Sequence, residues 1–113
     1  MGEHIMSEQT KSVKLEIFIP ETHFHQLQEV LQQVNAGRIG GYDSCLSYSR
    51  VTGMWRPLVG TEPYQGDVGE ISEGAELKVE VRIEAANLEK TLSAIRAVQP
   101  YEEPVVFALP LCT

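Results

Sequence analysis

The chain has 113 residues, 42% of them hydrophobic, and its 16 Asp+Glu outnumber 9 Lys+Arg to give a formal net charge of −7. A single domain of this length buries roughly two thirds of its unfolded surface, and its acidic field repels phosphate backbones and anionic lipid, so neither nucleic acid nor a membrane surface is expected as a partner. No apolar run reaches the roughly 20 residues of a membrane span and no basic-then-apolar leader opens the sequence, which makes a cytoplasmic protein the expectation.

Residues 1–12 are polar and aperiodic. They read as a disordered tail or an expression remnant, with Met6 offering a second start, and His4 is set aside with them. The domain is therefore taken as 13–113. Val13, Leu15, Ile17 and Ile19 alternate with Lys14, Glu16 and Phe18, the period of a strand with one buried face, and Pro20 ends it. From Glu21 the period changes: Phe24, Leu27, Val30, Leu31 and Val34 recur at three- and four-residue spacing, which predicts a helix that stops at Gly37.

Tyr42 to Thr52 reads as a second strand, with Tyr42, Ser44, Leu46 and Tyr48 alternating, and a glycine- and acid-rich connection covers Gly60 to Gly74. Leu77, Val79, Val81 and Ile83 alternate with Lys78, Glu80, Arg82 and Glu84 in a third strand. Asn87 is the expected N-cap of a helix whose inner face is Leu88, Leu92, Ile95 and Val98. Pro100 closes that helix, and Val105 to Leu109 makes a last strand. The order β-α-β-β-α-β predicts an α+β, ferredoxin-like fold: a four-stranded antiparallel sheet with both helices on one face. Phe18, Tyr42 or Tyr48, Trp55 and Phe107 are then expected partly exposed on the other face, where aromatics mark subunit contacts.

The segment Gln99-Pro100-Tyr101-Glu102-Glu103-Pro104 sets two carboxylates between prolines at the mouth of an apolar run. Each proline fixes its own φ and biases the preceding residue toward extended geometry, so the acids project from a stiff backbone. They could hold a cation, a ligand amine or an arginine of a neighbouring subunit, or simply be solvated at the start of a strand. Glu102 and Glu103 alternate faces, which makes them a poor acid/base couple. Cys45 and Cys112 lack CxxC spacing and read as free thiols. His23 and His25 stand about 200° apart on a helix and cannot share one metal easily. The glycines around Arg38 either cradle an anion or build a helix exit and tight turn. Trp55 and Arg56 either stack on a partner or close the sheet edge.

Four pieces in order, Ala36-Gly37-Arg38-Ile39-Gly40-Gly41-Tyr42-Asp43-Ser44-Cys45, Gly53-Met54-Trp55-Arg56-Pro57-Leu58, Gly69-Glu70-Ile71 and Pro100-Tyr101-Glu102-Glu103-Pro104, resemble the YqfO-type domain of the Ngg-interacting-factor (dinuclear-metal-centre) family. The resemblance spans residues 13–111. It implies the fold of the PII signalling and CutA proteins, a homotrimer, and a domain standing apart from the body that bears the family's two metals. It also implies histidines where this chain has Ser44 and Gln99, so no metal and no cofactor are expected here.

Three functions stay open. The first is a non-enzymatic trimeric module that binds a small molecule or a protein partner at intersubunit clefts, using Arg38, Tyr42, Asp43, Trp55, Arg56, Tyr101, Glu102 and Glu103. In this reading Glu102 or Glu103 contacts Arg38 or Arg56 across subunits, and Arg38, Tyr42, Asp43, Arg56, Glu102 and Glu103 converge on one site. The second is a CutA-like metal-binding protein using Cys45, Asp43, Glu102 or Glu103. The third is a hydrolase by family name, with no catalytic residue to nominate.

Overall fold

A computed structural model describes residues 10–113. The tail expected over 1–12 lies outside the described residues up to residue 9. At its far end Ser12 already belongs to the first strand and is buried. The elements are β1 (Ser12–Ile19), α1 (Phe24–Gln33), β2 (Leu46–Trp55), β3 (Ser72–Glu84), α2 (Leu88–Val98) and β4 (Val106–Leu111). A single 3-10 turn, Glu21–His23 or Ala85–Asn87, leads into each helix. The sheet order is β2-β3-β1-β4 with every neighbouring pair antiparallel. This is the ferredoxin-like arrangement that the element order predicts.

Register explains why the sheet has two unlike faces. Val13, Leu15, Ile17 and Ile19 stand opposite Ile83, Val81, Val79 and Leu77. All eight are buried and form one core with Leu27, Leu31, Ala36 and Ile95. The helices therefore cover one face, as the strand alternation requires. On α2 the expected Leu92 shares its face with Thr91, which is fully buried. The Thr91 hydroxyl donates to the Asn87 carbonyl at 2.7 Å, so its burial leaves no polar group unpaired. Asn87 makes no side-chain cap; the preceding 3-10 turn starts the helix instead.

The open face carries an ion ladder. Lys14 bridges Glu80 and Glu16 (3.4 Å), and Lys78 reaches Glu16 at 3.6 Å. The hydrogen bond between Lys14 and Glu80 holds the lysine above and the carboxyl below their ordinary values. Toward the end of β1 the same face turns aromatic: Phe18 and Phe107 meet edge to face with centroids 5.8 Å apart. Tyr48 departs from expectation. It pairs with the buried Val79, which places it on the helix side, and its ring rests 4.9 Å from that of Phe24.

Two boundaries differ from the sequence reading in a way that builds the site. The second strand starts at Leu46, because Ser44 has φ 59 and breaks the extended chain. The third begins at Ser72, inside the expected connection. β1 covers β3 only as far as Leu77, opposite Ile19, so Val51–Trp55 and Ser72–Glu76 run on as a two-stranded ribbon beyond the body of the sheet.

Candidate aromatic cavity at the base of the ribbon

The ribbon contains Gly53 directly opposite Gly74. With no side chains there, the sheet surface is bare and its neighbours lie down on it. A Cβ on Gly74 would stand 2.9 Å from the Trp55 ring, and one on Gly53 would stand 2.6 Å from Glu76 Oε1. Both glycines are thus sites of close approach rather than flexible points. The indole N–H of Trp55 donates to the Gln65 carbonyl at 2.9 Å, which ties the connection over the ribbon. Gly66, with φ 102, lets that loop pass: a Cβ there would come within 2.5 Å of Ser72 Oγ.

From the other side comes the stiff segment after α2. Tyr101 donates its hydroxyl to Glu76 Oε2 at 2.8 Å and meets Tyr64 edge to face at 5.8 Å. Glu102 accepts the backbone N–H of Glu62 at 3.0 Å. Gln99 donates to the Phe18 carbonyl at 2.9 Å, and Phe18 N–H donates to the Val105 carbonyl. These bonds fasten both the Tyr101–Val105 segment and the connection to the sheet. Between them lies a cavity of about 530 Å³ lined by Trp55, Tyr64, Tyr101, Phe18 and Phe107, with Arg56, Glu76, Glu102 and Glu103 as its charged groups. Burial, then the hydrogen bond to the Glu76 carboxylate and its charge, push the Tyr101 phenol well above its ordinary value.

Five of the eight expected site residues, Trp55, Arg56, Tyr101, Glu102 and Glu103, line this one cavity. The other three do not. Arg38, Tyr42 and Asp43 lie in the loop before β2, and the ten residues of that strand hold the two groups about 30 Å apart within one chain. Gly37 (φ 80) builds the loop, since a Cβ there would lie 2.5 Å from the Cys45 carbonyl oxygen. Ile39 and Tyr42 exchange backbone hydrogen bonds of 2.8 and 2.9 Å around Gly40-Gly41, and Arg38 Nε donates to the Gly40 carbonyl. This is the helix exit and tight turn, closed on itself.

The same separation bears on metals. Cys45 and Asp43 sit at one end of β2, Glu102 and Glu103 at the other. Among the described residues no three His, Cys, Asp or Glu side chains are grouped to ligate one ion, so a two-metal centre does not fit this donor set. Sequence reasoning missed Glu76, Tyr64, Gln65 and the Gly53–Gly74 pair. The one signal for them was a glycine two residues before a tryptophan in a β-rich stretch. Among the described residues no helix is long and apolar enough to cross a membrane.

No protein-family model matches the chain. It is 38% identical over 98 residues to the GTP cyclohydrolase 1 type 2 homolog of Halalkalibacterium halodurans, covering 87% of this chain and 26% of that protein. The corresponding protein of Bacillus subtilis is 36% identical over 94 residues, covering 80% and 24%. The chain thus spans about a quarter of the length of the curated relatives it matches. Among solved structures, a Bacillus cereus protein related to NIF3 superimposes with a TM-score of 0.81 at 29% identity, over 92% of this chain and 26% of that one. GlnK of Bacillus subtilis (TM-score 0.64, 19% identity, 89% and 85% covered) and CutA of Archaeoglobus fulgidus (0.66, 14%, 88% and 83%) share the fold over most of both chains. By sequence and by fold together, the chain is a relative of the YqfO-type domain of the NIF3-related proteins, built on the same sheet and helices as PII-like and CutA proteins.

Proposed function

We propose that this chain is a non-enzymatic, trimeric binding module that takes a small ligand or a protein partner at clefts between its subunits, with the cavity beside Trp55 as the binding site. The observation that carries this reading is the cavity itself. Its floor is aromatic, its shape is fixed by hydrogen bonds from loop to strand, and its volume lies within the roughly 300–1,000 Å³ typical of ligand pockets. The polar atoms of Trp55 and Tyr101 are already engaged in holding the walls, which favours binding over turnover. Hydrolysis of the kind named for the relatives would need a metal or a base aimed at a substrate, and one oxygen of Glu76 is instead held by a phenol.

Assembly is supported by the ribbon. Two strands alone are marginal in water, and this pair, with its connection, exposes Met54, Leu58, Val59, Val68 and Ile71. A neighbouring subunit is the natural cover. Glu102 is held within its own chain, which leaves Glu103 as the carboxylate to meet Arg38 of a neighbouring subunit. GlnK has been solved with ATP, but a polyphosphate here would face three carboxylates, so the reading does not extend to nucleotides. Light scattering coupled to size exclusion is expected to give about three times the 12.6 kDa chain mass. A monomer at micromolar concentration would defeat the assembly.

A further inference from the structure

We infer that the cavity beside Trp55 selects a small organic cation, an ammonium group on an apolar or aromatic body, over neutral and anionic molecules of the same size. The inference rests on the reading of the chain as a binding module and names the ligand class of that site. Its first support is charge. The lining holds Glu76, Glu102 and Glu103 against Arg56, a formal −2. Pairing of Glu103 with a neighbour's arginine would still leave −1. The stretch from Glu62 to Glu76 adds acids and contains no Lys or Arg, so the field around the mouth has the same sign.

Aromatic geometry gives the second support. Trp55, Tyr64 and Tyr101 line the cavity, and the quadrupole of an aromatic ring attracts a cation, most strongly at tryptophan. Two of their three hydrogen-bond donors are already used: the indole N–H on Gln65 and the Tyr101 hydroxyl on Glu76. Apart from Arg56, the Tyr64 hydroxyl and the Gln65 amide, an anion would find few donors here. A cation finds an acceptor. Glu76 receives Tyr101 at Oε2, while its Oε1 lies over the bare backbone of Gly53 and has no partner among the described residues. An ammonium group over that oxygen, with its apolar body against the rings, satisfies both features at once.

Trp55 is the one tryptophan of the chain and lines the cavity, so its fluorescence reports occupancy directly. The full chain is titrated at neutral pH with phenethylammonium, 2-phenylethanol and phenylacetate, and the mass of the same samples is measured by light scattering. Phenethylammonium is expected to bind at least about ten-fold more tightly than either analogue, with the gap shrinking as salt is raised. Glu76→Gln, whose amide oxygen can still accept from Tyr101, is expected to narrow that gap by weakening the amine more than 2-phenylethanol. Arg56→Ala is a second variant, expected to tighten the amine. Equal binding of all three, preference for phenylacetate, or an amine weakened by Arg56→Ala overturns the inference. A trimer that binds none of the probes overturns it too while leaving the assembly intact, whereas a monomer with the amine preference leaves the inference standing and removes the trimer.

Discussion

Tyr101 is the residue on which two functions of the site meet. Its hydroxyl anchors the segment after α2 to Glu76 on the ribbon, and its ring forms a wall of the cavity. Because burial and the Glu76 carboxylate raise its pKa above the ordinary value of 10.0, the folded state favours the neutral phenol. The stability this contributes is fully present below pH 10 and is lost as pH rises from there toward the higher folded value. Spectrophotometric titration is therefore expected to show a late tyrosine ionisation that belongs to Tyr101. Tyr101→Phe should remove that late step and flatten the alkaline loss of stability. A variant with the same alkaline profile as the parent would show that the phenol–carboxylate contact does not persist in solution.

At the scale of elements, α1 is held by its buried stripe rather than by caps. No side chain caps its N-terminus, and its junction with the preceding 3-10 turn lies at His23. Leu27 and Leu31, one turn apart, are its fully buried side chains and reach the strand residues of the core. Leu27→Ala is expected to cost about 2–5 kcal/mol in denaturant unfolding, the range for a leucine deleted from a packed core. A loss well below about 1 kcal/mol would mean that the helix does not carry the core as described. β4 behaves differently. It is an edge strand, and Pro110 sits in it opposite Val13, which only an edge tolerates because proline brings no N–H to the ladder.

The whole molecule is wider than its length requires. Its radius of gyration is 15.3 Å and its extents are 44 × 35 × 21 Å, against about 13 Å expected for a compact domain of this size. The β2–β3 ribbon extends past the end of β1. On the open face of the sheet, Phe107 and Leu109 remain exposed on the edge strand beside β1. If neighbouring subunits cover this face, Leu109→Glu is expected to shift the mass toward 12.6 kDa while changing protomer stability by less than about 1 kcal/mol, as for other exposed positions. A trimer that survives this change unaltered would place the contact elsewhere.

Periodicity determined most of the core of this protein. The alternation at 13–19 and 77–83 and the helical spacing of Phe24 to Val34 each fix which residues face inward, because a strand repeats every two residues and a helix every 3.6. The fold class follows from the order of those elements. Local pattern was weaker where backbone exceptions intervene: Ser44 at positive φ cut the second strand short, and Ser72–Gly74 continued the third through residues of loop composition. The cavity was legible only in part. Trp55, Arg56, Tyr101, Glu102 and Glu103 stood out as motifs, yet nothing in the order of residues said that they share one wall while Arg38, Tyr42 and Asp43 lie at the other end of β2. Register decided that. The antiparallel pairing sets Gly53 against Gly74, clears the surface for Trp55 and Glu76, and carries Glu76 to Tyr101 across 25 residues of sequence. Such proximity is a property of the folded sheet.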